Sequence, residues 1–94
     1  MFDELDPLLH SQLRLAVISL LISTEAAEFT FLKEKTNATA GNLSVQLDKL
    51  QEAGYITVEK SFKGKKPLTT CRITPVGVQA FEKYVHTLKQ YINK

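Results

Sequence analysis

The sequence predicts a mainly α-helical chain with one small β-hairpin, an α+β class with elements in the order α-β-α-α-β-β-α. Three observations carry this. Apolar residues recur at helical spacing along most of the chain. An alternating stretch interrupted by Lys63-Gly64-Lys65-Lys66-Pro67 reads as two strands around a turn. Capping residues, prolines and glycines stand at the boundaries between these patterns. Ninety-four residues make one domain, expected to span 1–94, with a single modest core.

The first helix is expected to start at Asp6-Pro7, with Asp6 capping and Pro7 in the first turn. The run from Leu8 to Ser23 is apolar on more than one side. Leu9, Leu13, Ala16, Val17, Leu20 and Leu21 fit a core face, while Leu8, Leu15, Ile18 and Ile22 fall partly elsewhere. Such a surplus in a small chain calls for a second partner, or for cover by other elements of the same chain. Ala27 to Thr30 reads as a short strand. A helix of about two turns follows from Phe29 or Thr30, with Phe31 and Leu32 inward. Thr36-Asn37-Ala38 is a tight connection, with asparagine suited to turn conformations.

The best-specified element comes next. Thr39 is a candidate N-cap, and Leu43, Leu47 and Leu50 line one face of a helix expected over about residues 39–53. Gly54 stands where a residue of positive φ is wanted, and Tyr55-Ile56-Thr57-Val58 turns to strand-type residues. Gly41, Asn42, Val45, Lys49 and Glu52 lie away from the leucines, flanked by Ser44, Gln46 and Asp48. This outer face suits the reading of DNA bases, and equally an ordinary solvated surface. Tyr55–Phe62 and Leu68–Ile73 then form the hairpin, with Ile56, Val58 and Lys60 on one side. Thr74-Pro75 starts a last helix running to Asn93, with Phe81, Tyr84, Val85, Leu88, Tyr91 and Ile92 spaced by threes and fours.

Two short helices joined by a few turn residues, the second with a polar outer face, form a helix-turn-helix pattern. Charge placement adds to it. The chain carries +2 overall, but residues 1–53 hold eight acids against four bases. Residues 54–72 hold Lys60, Lys63, Lys65, Lys66 and Arg72 against Glu59 alone, and Lys83, Lys89 and Lys94 face Glu82 in the remainder. A basic patch on a nearly neutral chain points to a directed contact with a polyanion, with a solvated lysine loop as the plain alternative.

Other classes find little support. Cys71 is the single cysteine, so neither an intrachain disulfide nor a cysteine metal cluster can form within one chain. His10 and His86 lie at opposite ends of the sequence, and a surface or interface role is expected for each. The sequence shows no glycine-rich phosphate loop and no nucleophile with an evident base, so no enzyme activity, cofactor or metal is expected. The start is acidic and no apolar run reaches roughly 18 residues, which makes a cytoplasmic protein with no membrane contact the expectation.

The order of elements resembles the winged-helix DNA-binding domain, and in particular the small MarR/ArsR-like transcriptional regulators. The resemblance rests on GNLSVQLDKLQEAGYI from Gly41, on the basic stretch GKKPLTTCRITPVG from Gly64, and on the helix after it. It covers essentially the whole chain. It implies double-stranded DNA as partner, with the recognition helix in the major groove and the wing, about residues 60–72, on phosphates or the minor groove. Carried over, base contacts fall to Thr39, Asn42, Ser44, Val45, Gln46 and Lys49. Backbone contacts fall to Lys60, Lys63, Lys65, Lys66 and Arg72. The outer face lacks arginine, and Asp48 adds a charge that DNA repels.

A homodimer is the further expectation. Phe81, Tyr84, Leu88 and Tyr91 form one seam of its interface, and Leu5, Leu8, Ile18 and Ile22 pair with it. The alternative to DNA binding is a winged helix used for protein–protein contact. The sequence names no effector, operator or direction of regulation.

Overall fold

The computed structural model describes residues 2–92, so Met1, Asn93 and Lys94 lie outside the described residues. Helices α1 (Gln12–Thr24), α2 (Phe29–Thr36), α3 (Ala40–Glu52) and α4 (Pro75–Ile92) surround a three-stranded sheet of β1 (Ala26–Glu28), β2 (Ile56–Lys63) and β3 (Lys66–Ile73). The strand order is β1-β3-β2, with both pairs antiparallel. This is the α-β-α-α-β-β-α order that the sequence predicts.

One boundary differs. Asp6 does cap, accepting the Leu8 N–H at 2.9 Å through Oδ1, but the turn it starts ends within a few residues. Ser11 is extended, with φ −150° and ψ 128°, and α1 proper begins at Gln12. A capping signal fixes where a turn begins, not how far the helix propagates. Residues 2–11 are thereby freed to fold back over the body, where Leu5 and Leu8 pack on the core and Leu9 is fully buried.

Helix α1 is the centre of the fold, touching α2, α3, α4, β1 and β3. That is why its sequence is apolar on several sides. Val17, Ile18 and Leu21 are completely buried, joined by Leu32 from α2, Leu43, Leu47 and Leu50 from α3, Ile56 and Cys71 from the sheet, and Tyr84 from α4. Burial also pushes the Cys71 thiol up to about 11, which keeps it protonated and unreactive at neutral pH. Ile18 and Tyr84 are therefore core residues of one chain rather than interface residues. The surplus apolar surface read from α1 is largely covered from within.

The root of α4 is set by a close approach. Thr74 caps it, its Oγ1 accepting the Gly77 N–H at 3.0 Å and donating to the Gly54 carbonyl at 2.6 Å. A Cβ on Gly77 would lie 2.2 Å from the Tyr55 carbonyl oxygen, so only glycine lets α4 sit this close to the start of β2. From there α4 runs out along the N-terminal segment. Asp3 and Gln90 exchange two hydrogen bonds, at 2.8 and 2.9 Å, and Tyr91 donates to the Asp3 carbonyl at 2.8 Å. Phe2 stacks on Tyr91 with ring centroids 4.7 Å apart, and His10 Nδ1 is hydrogen-bonded to the Tyr84 hydroxyl at 3.1 Å.

Candidate nucleic-acid interface

Helix α2, the turn Asn37-Ala38-Thr39 and helix α3 form a helix-turn-helix. Asn37 closes α2 in the left-handed region, φ 57° and ψ 27°, which asparagine tolerates better than most residues. Thr39 Oγ1 then accepts the Asn42 N–H at 3.1 Å, the N-cap expected from the sequence. At the other end Gly54, φ 79°, donates to the Gln51 carbonyl at 2.9 Å, and Tyr55 donates to that of Leu50 at 3.0 Å. This pair of bonds is a Schellman closure, which satisfies carbonyls left free at the helix end.

With the leucine keel buried, the other side of α3 is open. Thr39, Gly41, Asn42, Ser44, Val45, Asp48 and Lys49 are exposed, and Val45 keeps 50% of its surface. Gln46 is only half exposed, and it is engaged. Its Nε2 donates to Asn42 Oδ1 at 3.0 Å, while Arg14 Nη1 donates to its Oε1. Arg14 in turn donates through Nε to the Leu8 carbonyl at 2.6 Å. The guanidinium thus ties the N-terminal turn, α1 and the outer face of α3 together. Nothing in the sequence signals this, because Arg14 and Gln46 are 32 residues apart and share no motif.

The structure divides the five wing bases. In the hairpin register Lys60 pairs with Thr69, Phe62 with Pro67 and Lys63 with Lys66. Alternation puts Ile56, Val58, Lys60 and Phe62 on one side with Pro67, Thr69 and Cys71. Ile56 and Cys71 are buried, so this is the side turned to the body. Lys60 shares a cleft of about 290 Å³ with Ser44 and Asp48 of α3, which sets an acid of the helix beside a base of the wing. Beyond Lys60, Phe62 to Pro67 are all exposed, and Lys63, Lys66 and Pro67 line an open cleft of about 300 Å³ with Glu28, Phe29 and Thr30.

Gly64, φ 65°, occupies the first of two loop positions and Lys65 the second; only the glycine has positive φ, as in a type II′ turn. Lys63, Lys65 and Lys66 therefore cluster at the tip. Arg72 does not join them. It pairs with Ala26 and Thr57 at the root of the hairpin, roughly 20 Å from the tip at about 3.3 Å per residue. There it borders Ile22, Glu25 and Val78 rather than α3.

Of the expected interface residues, Leu5, Leu8, Ile22, Phe81 and Leu88 are half-buried against the core, and Tyr91 is 41% exposed. No group of three or more potential metal ligands occurs among the described residues, and no helix there is long and apolar enough to cross a membrane.

A helix-turn-helix followed by a basic hairpin, with the open helix face and the hairpin tip both projecting from one core, defines a winged helix-turn-helix protein. The family model described as "Winged helix DNA-binding domain" matches residues 13–92, and the chain belongs to this family. It is 38% identical over 81 residues to the uncharacterised protein MJ0432 of Methanocaldococcus jannaschii, covering 86% of this chain and 88% of that protein. Its fold is similar to that of a transcriptional regulator homologue from Pyrococcus horikoshii, with TM-score 0.85 at 24% identity over 92% of this chain and 85% of the other. It is also similar to a MarR-family regulator from Silicibacter pomeroyi, with TM-score 0.66 at 17% identity, covering 92% of this chain and 60% of that one.

Proposed function

We propose that this chain is a sequence-specific double-stranded DNA-binding transcriptional regulator of MarR-like type, working in the cytoplasm as a homodimer. Helix α3 enters the major groove, and the hairpin reaches phosphates or the adjacent minor groove. One observation carries the reading: Lys60, Lys63, Lys65 and Lys66 are all exposed on the hairpin that, at Lys60, borders the open face of α3. A nearly neutral chain that concentrates its positive charge there is built to neutralise phosphates at one place.

Thr39, Asn42, Val45 and Lys49 are the proposed base-contacting residues, with Ser44 beside the wing. Gln46 serves both as a reader and as the link to Arg14, which acts as a positioning residue. Arg72 is left out of the contact set because of its place at the hairpin root. The dimer is supported by Phe2, Tyr91 and Ile92, which remain exposed where the N-terminal segment meets the end of α4. Two-fold pairing there would set two copies of α3 about 34–36 Å apart, one turn of DNA, and require a near-palindromic operator.

The test is fluorescence anisotropy on duplex DNA across a salt series, followed by a footprint on the region upstream of the protein's own gene. Binding whose logarithm falls linearly with the logarithm of salt, and a protected near-palindrome, are expected. No binding to any duplex at low salt would leave a protein-contact module instead. Sedimentation as a monomer at micromolar concentration would remove the dimer alone.

A further inference from the structure

Among the described residues Phe62 is the most exposed large apolar side chain, with 73% of its surface open, and it sits in the most basic part of the chain. Its cross-strand partner is Pro67, also exposed, so the two stand side by side on one face of the wing. That face is continuous with Val58 and Lys60, and at Lys60 it borders the cleft against Ser44 and Asp48 of α3. The apolar pair is thus displayed on the side of the hairpin where the recognition helix lies. Lys60, Lys63, Lys65 and Lys66 flank it within a few residues.

We infer that Phe62, beside Pro67, is a wedge that enters the minor groove and partly unstacks one base step, kinking the duplex toward its major groove. This rests on the DNA-binding reading above and adds a distortion to it. The charge around the pair selects the occupant. A second protein chain on an apolar patch would have to desolvate up to four lysines, whereas a duplex supplies phosphates to each of them while its base steps accept the ring. The deformation is easiest at pyrimidine–purine steps, so a TA or CA/TG step is expected in the operator where the wing lands, outside the bases that α3 reads.

The experiment uses the full chain and the duplex that the unaltered protein recovers from a random pool. Dyes on the two ends report bending by energy transfer, and 2-aminopurine placed at each step in turn reports unstacking. The unaltered protein should shorten the end-to-end distance and raise 2-aminopurine emission several-fold at one step. Phe62→Ala should abolish that rise, lose most of the bend and lose roughly tenfold in affinity, about one base–aromatic contact. Its salt slope should stay as it was. Phe62→Leu, which keeps an apolar wedge, should restore most of the bend.

Binding with a straight duplex and silent 2-aminopurine at every step would overturn the wedge and leave the regulator standing. So would a Phe62→Ala variant that distorts DNA as well as the unaltered chain. A variant whose only change is conversion of a dimer to a monomer would assign Phe62 to a chain–chain contact. Failure of the unaltered protein to bind any duplex would remove both readings together.

Discussion

Helix α3 and the hairpin tip are held in opposite ways. The helix is fixed at its start by Thr39, along its length by the buried leucines, on its outer face by the Arg14–Gln46–Asn42 chain, and at its end by the Gly54–Tyr55 closure. The tip is held by its own strand pairing, and every residue from Phe62 to Pro67 lies open. Their charges differ as well. The exposed part of α3 carries Lys49 against Asp48 and Glu52, whereas the tip carries three lysines within four positions. Selectivity needs side chains at fixed positions, because a misplaced hydrogen bond costs as much as an absent one. Phosphate neutralisation tolerates movement, since Coulomb attraction is not directional. On the proposed reading, order lies where discrimination is needed and charge where order is not.

That division can be broken from either side. The largest effect is expected from removing the tip charge. Lys63→Ala, Lys65→Ala and Lys66→Ala together should weaken binding on the order of 100-fold at low salt, equally for all sequences, and flatten the salt slope by about 2.7. Titrations of matched and mismatched duplexes measure both. A loss confined to the preferred sequence would mean that the wing also reads bases. Next come Asn42→Ala and Gln46→Ala, which should each cost about 1–3 kcal/mol of discrimination at one base pair while non-specific affinity stays within about twofold. Arg14→Ala should copy that loss of discrimination without touching a base, and lower stability by about 1–2 kcal/mol through the bonds it gives up.

Smaller effects belong to the ends of α3. Thr39→Ala removes the cap and should cost about 1 kcal/mol in chemical denaturation, with an unchanged salt slope. The smallest is a pH effect. Burial first, then the bond to Asp6 Oδ2 at 2.5 Å and the charge of that carboxylate, push the Tyr55 phenol from 10.0 up to about 12. The folded chain therefore holds this proton more tightly than the unfolded chain does. Its contribution is complete below pH 10 and fades as pH rises from about 10 to about 12. Tyr55→Phe should flatten that part of the stability–pH curve. An identical alkaline slope in the variant would show that the phenol carries none of it.

Much of this was legible in the sequence, and what was legible was local. The Thr39 cap, the Leu43–Leu47–Leu50 keel, the Gly54 stop, the hairpin around Gly64 and the Thr74-Pro75 start each depend on residues within a turn or two of one another. Periodicity along α1 correctly showed apolar residues beyond one stripe. It does not show what covers them: the spacing leaves Ile18 for a partner, whereas the chain's own elements bury it. Tyr84 is buried likewise, and helical spacing does not tell a seam from a core. Within the site, alternation put Lys60 on the body side of β2, but strand register was needed to see that Arg72 stands at the root and Phe62 beside Pro67. The Arg14–Gln46 contact joins segments that only the packing of α1 on α3 brings together.

The fit of Gly77 against Tyr55 has a mechanical meaning. The Tyr55 carbonyl takes the Thr74 N–H at 3.1 Å and leaves no room for a Cβ on Gly77, while the same residue's N–H closes α3. The base of α4 and the exit of the recognition helix therefore share one joint with no slack in it. On the proposed reading, two chains joined along α4 would hold their two α3 helices at a fixed spacing through this joint, as a caliper does.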